Sequence, residues 1–417
     1  MATAKPKFSA NKANSRAVSA KSTPAKSKSK ASPKKAPKPN TLKANSSFNA
    51  KVNAKAKAKV NAKAKMKVKA RVAAPPKRSA RPGPSARSNP NQRRRAPEPR
   101  LPRHDQLPVR EGAPAGAAWG VFGDNDELGT INLLTPATVV EAAGSIRSGR
   151  TFALNLPIDI PNPPLFGRGK HNHVIKQYAS YILDDYLDNF YPQASSQWDA
   201  LCHVKHPKHG GYNGFPDNEI TGYGGTKLGI DNLARRGIAG RGVLADIGRY
   251  HERHGRTLDF MTNEMIALED LWETLREQKT ELRPGDVLLV RIGWTKAYLA
   301  MSAMQKEALA ARTKSPGIEG TARTAKWLWD SRISAVASDS PALEAMPPPK
   351  TQDSLGSNDL LHFHMLSYFG MPIGEMWNLE ELAEACASDR HYDFFFTSAP
   401  LNIPGGVGSP PNAIAVK

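Results

Sequence analysis

Histidines and carboxylates gather in two places along this 417-residue chain. The first is Ser195-Ser196-Gln197-Trp198-Asp199-Ala200-Leu201-Cys202-His203, with His206 and His209 just beyond it. The second is Leu361-His362-Phe363-His364, followed by Gly370-Met371-Pro372-Ile373-Gly374-Glu375. Asp and Glu oxygens together with two imidazoles from these clusters would make a hard four-ligand set suited to Zn or Mn. Such groups can also work without metal, an imidazole removing a proton while a carboxylate orients the ring. Spacing alone does not choose between these chemistries. His364 reads as a structural histidine among apolar neighbours, and His206 and His209, in a Lys/Gly-rich loop, read as solvated. Two cysteines, Cys202 and Cys386, with no CxxC pair, exclude a disulfide framework and fit a reducing compartment.

The elements that must position these groups begin near Trp119, where strand-like and helix-like patterns start to alternate as in an α/β domain. Thr135-Pro136 opens a helix with a capping residue and Pro at its first position. Val139, Val140, Ala143 and Ile146 give it an apolar stripe, and Gly149 ends it. Residues 151–158 alternate as a half-buried strand, 243–247 reads as a short buried strand, and 287–292 and 333–337 follow as further strands. Met265, Leu268, Leu271, Trp272 and Leu275 mark one face of a helix, closed by the turn Arg283-Pro284-Gly285-Asp286; another helix covers 321–330. No GxGxxG follows a strand and no GxxxxGK[ST] occurs, so no nucleotide-binding loop is expected.

The first 100 residues are a different polymer. They hold 29 Lys/Arg against one acid, Glu98, whereas the rest of the chain holds 30 bases against 37 acids. The net charge of +21 therefore belongs to this segment alone. Its Ala, Lys, Ser, Pro and Asn cannot bury enough surface to offset the entropy of ordering, so a disordered tail is expected over residues 1–105, linker included, with a folded domain over 106–417. Such a tail can condense on nucleic acid through counterion release, blind to sequence, or simply remain solvated. No signal-peptide core opens the chain and no run approaches the roughly 20 apolar residues of a membrane span. A cytoplasmic protein is expected, with nucleoid or nuclear association open through the tail.

The segment Gly123-Asp124-Asn125-Asp126-Glu127-Leu128-Gly129-Thr130-Ile131-Asn132-Leu133-Leu134-Thr135-Pro136 resembles the entry segment of the metal-dependent cyclase/kynurenine formamidase family. Ser196-Gln197-Trp198-Asp199, Tyr212-Asn213-Gly214, the stretch from Leu228 to Val243, and Arg283 to Trp294 resemble its middle. Ser338-Asp339-Ser340-Pro341-Ala342-Leu343-Glu344, the Gly370–Glu375 segment and Pro404-Gly405-Gly406-Val407-Gly408-Ser409-Pro410 resemble its last third. The match runs in order from about Trp119 to the C-terminus and excludes the tail.

The resemblance implies an α/β fold of the swivelling β/β/α type, a homo-oligomer with the site near a subunit boundary, and a small carbonyl or amide substrate. In the family's formamidase branch, a HxGTHxDxPxH motif and a later His and Glu hold metal. Laid on that pattern, Asp199 takes the aspartate, His203 the final histidine, and His362 and Glu375 the later pair. Gln193 and Gln197 fall on the two leading histidines and Leu201 on the proline, which places the chain in a Gln-Trp-Asp branch. A Gln carbonyl is a poorer partner for Zn than a neutral imidazole, so three outcomes stay open: one divalent metal, metal-free acid–base chemistry, or a silent site.

The implied activity is hydrolysis of an amide, formamide, cyclic amide or ester by metal-activated water. A polyketide-type cyclase or dehydratase is the alternative within the fold, and a catalytically degenerate module tethered to nucleic acid is the alternative outside it. Gln197, Trp198, Tyr212 and Asn213 are the implied substrate contacts, Trp198 having ordinary core as its other reading. The glycines of 404–410 serve either close backbone approach to a ligand or a surface turn.

Overall fold

Runs of Val, Leu and Ala too apolar for one wet face require strands covered on both sides, and the middle of the molecule is built from three of them. The computed structural model describes residues 101–312, 314–349 and 360–417; the basic segment 1–100 lies outside the described residues. In chain order the strands are β1 (Thr151–Ala153), β2 (Asn172–Ala179), β3 (Ile182–Asp188), β4 (Gln197–Asp199), β5 (Ile238–Asp246) and β6 (Met265–Ile266). They continue as β7 (Val287–Arg291), β8 (Gly317–Ile318), β9 (Ala335–Ser338), β10 (Ile373–Glu375), β11 (Asp393–Ser398), β12 (Gly408–Ser409) and β13 (Ala413–Val416). Nine of them form one mixed sheet in the order β1-β13-β11-β5-β7-β9-β10-β4-β12. The central β5, β7, β9 and β10 are parallel, and antiparallel strands flank them on both sides. This is the α/β class expected.

The helix Pro136–Ala142 starts as its sequence signals: Thr135 Oγ1 accepts from Thr138 N at 3.2 Å, with Pro136 at the first position. It ends after seven residues in a 3-10 turn, Ala143–Ser145. Val140, still within the α-helix, faces solvent, as do Ala143 and Ile146, and the helix buries Ala142 in place of the expected apolar stripe. The strand expected over 151–158 pairs with β13 only from Thr151 to Ala153; Leu154 N still donates to Ala413 O at 3.0 Å, and beyond it Leu156 stays buried outside the ladder. In the helix Leu268–Glu277, Leu268, Leu271 and Leu275 are buried, while Met265 lies upstream in β6. Trp272 sits at the rim under the guanidinium of Arg323, 5.8 Å from the ring centre.

Residues 102–104 already belong to the packed structure. Trp329 Nε1 donates to Pro102 O at 3.0 Å, and His104 N donates to Asp330 Oδ1 at 2.8 Å. Both acceptor and donor partners lie on or beside the helix Ala322–Asp330.

A short element unusual in soluble proteins precedes β10. Residues Phe363–Phe369 form a π-helix, a geometry that recurs at functional sites. Its end is locked onto the segment near residue 130: Thr130 N donates to Gly370 O at 2.9 Å. Gly129, at φ +56°, lies so close that a Cβ would fall 1.9 Å from Gly370 O. Only glycine fits there.

Candidate active site

Strand β4 is the hinge of the site. Successive side chains on a strand point to opposite faces, so Gln197 and Asp199 share one face and Trp198 takes the other. The antiparallel partner β10 sets Glu375 opposite Gln197 and Ile373 opposite Asp199. Gln197 Nε2 consequently donates both to Asp199 Oδ1 at 3.2 Å and to Glu375 Oε2 at 2.5 Å. All three side chains are buried.

His362, at the start of the π-helix, closes the cluster. Its Nε2 lies 3.1 Å from Glu375 Oε1 and 4.0 Å from Asp199 Oδ2. On the other side of the ring, Nδ1 meets Glu344 Oε2 at 2.7 Å, and His362 N donates to Glu344 Oε1 at 3.3 Å. Glu344 is fully buried. It ends the loop after β9, which is pinned where Asp339 accepts from Ile292 N at 2.7 Å and Gly293 N at 2.9 Å.

The electrostatics follow from three carboxylates in one buried place. Burial pushes Asp199 up to about 6; Glu375 adds to the rise, while His203, His362 and Arg168 oppose it. Burial works against charging His362, but the carboxylates of Glu344 and Glu375 outweigh it and hold the imidazole well above its ordinary range. The cluster therefore attracts cations.

Ligand atoms of Asp199, His362 and Glu375 all lie within 4.8 Å of one another, close enough to share a metal ion. Two buried oxygens, Asp199 Oδ2 and Gln197 Oε1, have no hydrogen-bond partner among the described residues. Buried acceptors without partners are costly, and a hard divalent cation is one group that satisfies them. The Glu344–His362 pair is also the carboxylate–histidine arrangement that fixes the ring for ligation through the other nitrogen. The residues present thus fit a divalent metal, with one qualification built into the sequence: an amide oxygen stands where an imidazole would be the stronger ligand.

The other expected residues fall at graded distances from this cluster. His203 Nε2 is 3.6 Å from Asp199 Oδ1, and its side chain is a quarter exposed, so it sits between Asp199 and solvent and outside the three-ligand group. Gln193 is buried against Gly408, the strand neighbour of Asp199. Trp198 faces away: it is fully buried, its Nε1 donates to Ser398 Oγ at 2.9 Å, and it meets Trp377 edge to face at 4.8 Å. Opposite it, Gly374 has no Cβ, and one there would lie 2.9 Å from the Trp377 ring. Trp198→Ala is expected to cost about 3–5 kcal/mol of stability, as for other large-to-small core changes. Urea unfolding measures it, and an unchanged midpoint would return Trp198 to the substrate side.

Tyr212 and Asn213 serve the entry segment. Tyr212 Oη donates to Asp126 Oδ2 at 3.1 Å. Asn213, at φ +59°, donates to Gly123 O at 2.7 Å and Asp124 O at 3.0 Å and accepts from Gly120 N at 2.9 Å. The glycines of 404–410 build β12 against β4, with Ala200 N donating to Val407 O at 3.1 Å.

His206 differs from the solvated residue expected. It is buried, stacks on Tyr368 with centroids 5.2 Å apart, and its Nδ1 accepts from Lys208 N and His209 N. Burial pushes the Cys202 thiol up to about 12, so the cysteine beside His203 is no thiolate nucleophile near neutral pH.

Glu344 is the member that the sequence reading missed. The Ser338–Glu344 stretch carries family resemblance, and a carboxylate ending it was the available signal.

Among known proteins, the profile of the family described as "Putative cyclase" matches residues 146–345. A crystal structure described as a novel cyclase is similar at 36% identity, covering 72% of this chain and 99% of that one, with a TM-score of 0.63. Isatin hydrolase A from Labrenzia aggregata, bound to benzyl benzoate, is similar at 17% identity over 66% of this chain and 94% of its own, with a TM-score of 0.45. A potential metal-dependent hydrolase with cyclase activity is similar at 14% identity over 64% and 98%, with a TM-score of 0.36. A search of curated proteins found no match. No helix among the described residues is long and apolar enough to cross a membrane. At 36% identity over 72% of its length and nearly the whole of a solved cyclase, the chain belongs to the cyclase family.

Proposed function

We propose that this cyclase-family protein is a hydrolase that opens a carbon–nitrogen bond of an amide or formamide, or a cyclic amide or ester, with one divalent cation, Zn or Mn, at Asp199, His362 and Glu375. The observation that carries the reading is the buried convergence of those three ligand atoms, with Asp199 Oδ2 unpartnered and His362 braced by Glu344. When bound, the cation supplies Lewis-acid polarisation of a carbonyl and makes water at the site more acidic.

The chain's own residues do the rest. Glu344 holds the Nδ1 proton of His362 and so aims Nε2 at the cluster. Gln197 ties Asp199 to Glu375 and fixes their separation. His203, a quarter open to solvent beside Asp199, is placed to carry a proton between the reacting nitrogen or oxygen and bulk water. Arg168 Nη1 is buried without a hydrogen-bond partner among the described residues, and its charge acts on Asp199. That N–H is suited to a carbonyl oxygen gaining negative charge.

A second reading has one observation in its favour. The Gln197 amide gives both N–H groups to carboxylates, doing part of what a cation does there. This favours metal-free acid–base chemistry, including ring closure or dehydration. Elemental analysis after dialysis separates the two. About one Zn or Mn per chain, lost in His362→Ala together with hydrolysis of N-formyl arylamines or cyclic amides, is the expected result. Full hydrolysis by a metal-free protein would overturn the metal; no turnover of any amide or ester would overturn the hydrolase.

A further inference from the structure

A cavity of about 1160 Å³ opens where the helices Ile247–Arg253, Leu268–Glu277 and Glu380–Asp389 bring their C-terminal ends together. It shares no lining residue with the Asp199 cluster. Its size is ample for a small-molecule ligand.

Its charge runs against that of the domain around it. Residues 101–417 hold 30 bases against 37 acids, yet of the sixteen lining residues seven are Lys or Arg and three are acids. Five of the seven cations are held by nearby carboxylates. Arg241 meets Asp286 at 2.9 Å and Asp393 at 3.2 Å, Arg249 meets Asp246 at 3.1 Å, and Arg253 meets Glu277 at 3.6 Å. Arg276 pairs with Glu273, and Arg283 with Glu141. Lys279 and Arg390 line the cavity with no ion pair among the described residues, and the exposed His391 follows Arg390 in its wall. The one lining acid likewise without a cation among the described residues is Glu281.

Both cations sit on unusual backbone. Lys279, at φ +52°, closes the helix Leu268–Glu277 in a Schellman motif, with Lys279 N donating to Arg276 O at 3.1 Å and Thr280 N to Leu275 O at 3.0 Å. Arg390, at φ +59°, caps the helix Glu380–Asp389 in the same left-handed conformation. Glycine is the residue such positions favour, because any Cβ crowds the backbone there. A cation at a helix C-terminus also meets the macrodipole, but the first helix already carries Arg276 in its last turn. Two long cations kept on one cavity, where glycine would be more stable, are the exchange of stability for function expected of a binding site.

We propose that this cavity binds a small multivalent phosphate anion, either pyrophosphate or the diphosphate of a nucleotide, through Lys279, Arg390 and His391. Ammonium and guanidinium groups only donate, and phosphate oxygens are the acceptors that make the strong, charge-assisted bonds to them. This inference does not depend on the chemistry proposed above.

Thermal melts of the full-length chain with and without pyrophosphate test it, since a ligand of the folded state raises the melting temperature by mass action. The basic segment 1–100 is common to every variant, so differences between variants report the cavity. Pyrophosphate is expected to raise the melting temperature beyond sodium chloride of equal ionic strength. The double variant Lys279→Gly, Arg390→Gly is expected to melt at or above the unaltered chain without ligand and to bind pyrophosphate about 100-fold more weakly, roughly tenfold for each charge-assisted contact. Glu281→Gln is expected to bind it more tightly. Arg332→Gly, at a left-handed position outside this cavity, is expected to bind it unchanged. ADP forms the second arm: a larger rise than with pyrophosphate assigns a nucleoside diphosphate, and an equal or smaller one the free anion. Should the double variant not fold, hydrogen exchange of the unaltered chain decides, with amides of 276–281 and 389–392 expected to slow in pyrophosphate. No rise with either anion, full affinity in the double variant, a double variant that loses melting temperature along with affinity, or amides there that ignore pyrophosphate would each overturn the proposal.

Discussion

Asp199→Asn is expected to lower hydrolysis by about 10²–10⁴-fold, the usual effect of losing a positioned proton-transfer or ligating group, without lowering the melting temperature of the metal-free protein. The carboxylate is fully buried beside Glu375, with Oδ2 unpartnered among the described residues, and burial pushes it up to about 6. An amide of the same shape removes that desolvation and the repulsion from Glu375, so the folded state gains or stays level. Function and stability pull in opposite directions at such positions. Rate assays beside thermal melts read both quantities. A variant that keeps its rate takes Asp199 out of the chemistry, and one that loses rate and melting temperature together makes it a structural residue.

Glu344→Gln is expected to weaken metal binding and hydrolysis by about 10–100-fold, the range for losing a carboxylate that orients a ligating histidine. Glutamine keeps the volume and an acceptor for His362 Nδ1, so packing around the π-helix should persist. What disappears is a charge 2.7 Å from the ring, which now stabilises and aims the imidazole. Metal titration with a competing chelator measures the first effect and steady-state kinetics the second. Unchanged affinity with unchanged rate would make the Glu344–His362 pair purely architectural.

How far the sequence revealed this site can be followed residue by residue. Alternation within Gln197-Trp198-Asp199 is a property of any strand, so two chemical positions around one core position could be read before the fold was known. His362 and Glu375 were legible through family resemblance. What brings them to 3.1 Å is a π-helix that no apolar period announces. Glu344 escaped because its role is created by a contact across 18 residues, and nothing at position 344 alone distinguishes a buried brace from a solvated acid.

The β2–β3 hairpin escaped for a different reason. Strand reading relies on one wet and one dry face. Here Ile175 shares a face with Asp185, and Val174 shares one with Tyr186, so neither side has the clean contrast that marks a strand. The overlong strand at 151–158 shows the reverse error. Its alternation is genuine, and Leu154 and Leu156 are buried, but the ladder with β13 ends at Ala153. A pattern in one segment cannot state how long its partner remains alongside.

The parity of β4 also bears on how such a protein can change over time. The even-numbered residue, Trp198, is committed to the interior, while the odd-numbered ones, 197 and 199, face the buried cluster of Glu375 and His362. Exchange at residue 197 can therefore alter a ligand set while leaving the Trp198–Trp377 contact in place. Three consecutive residues thus let a lineage revise its reactivity and conserve its scaffold independently.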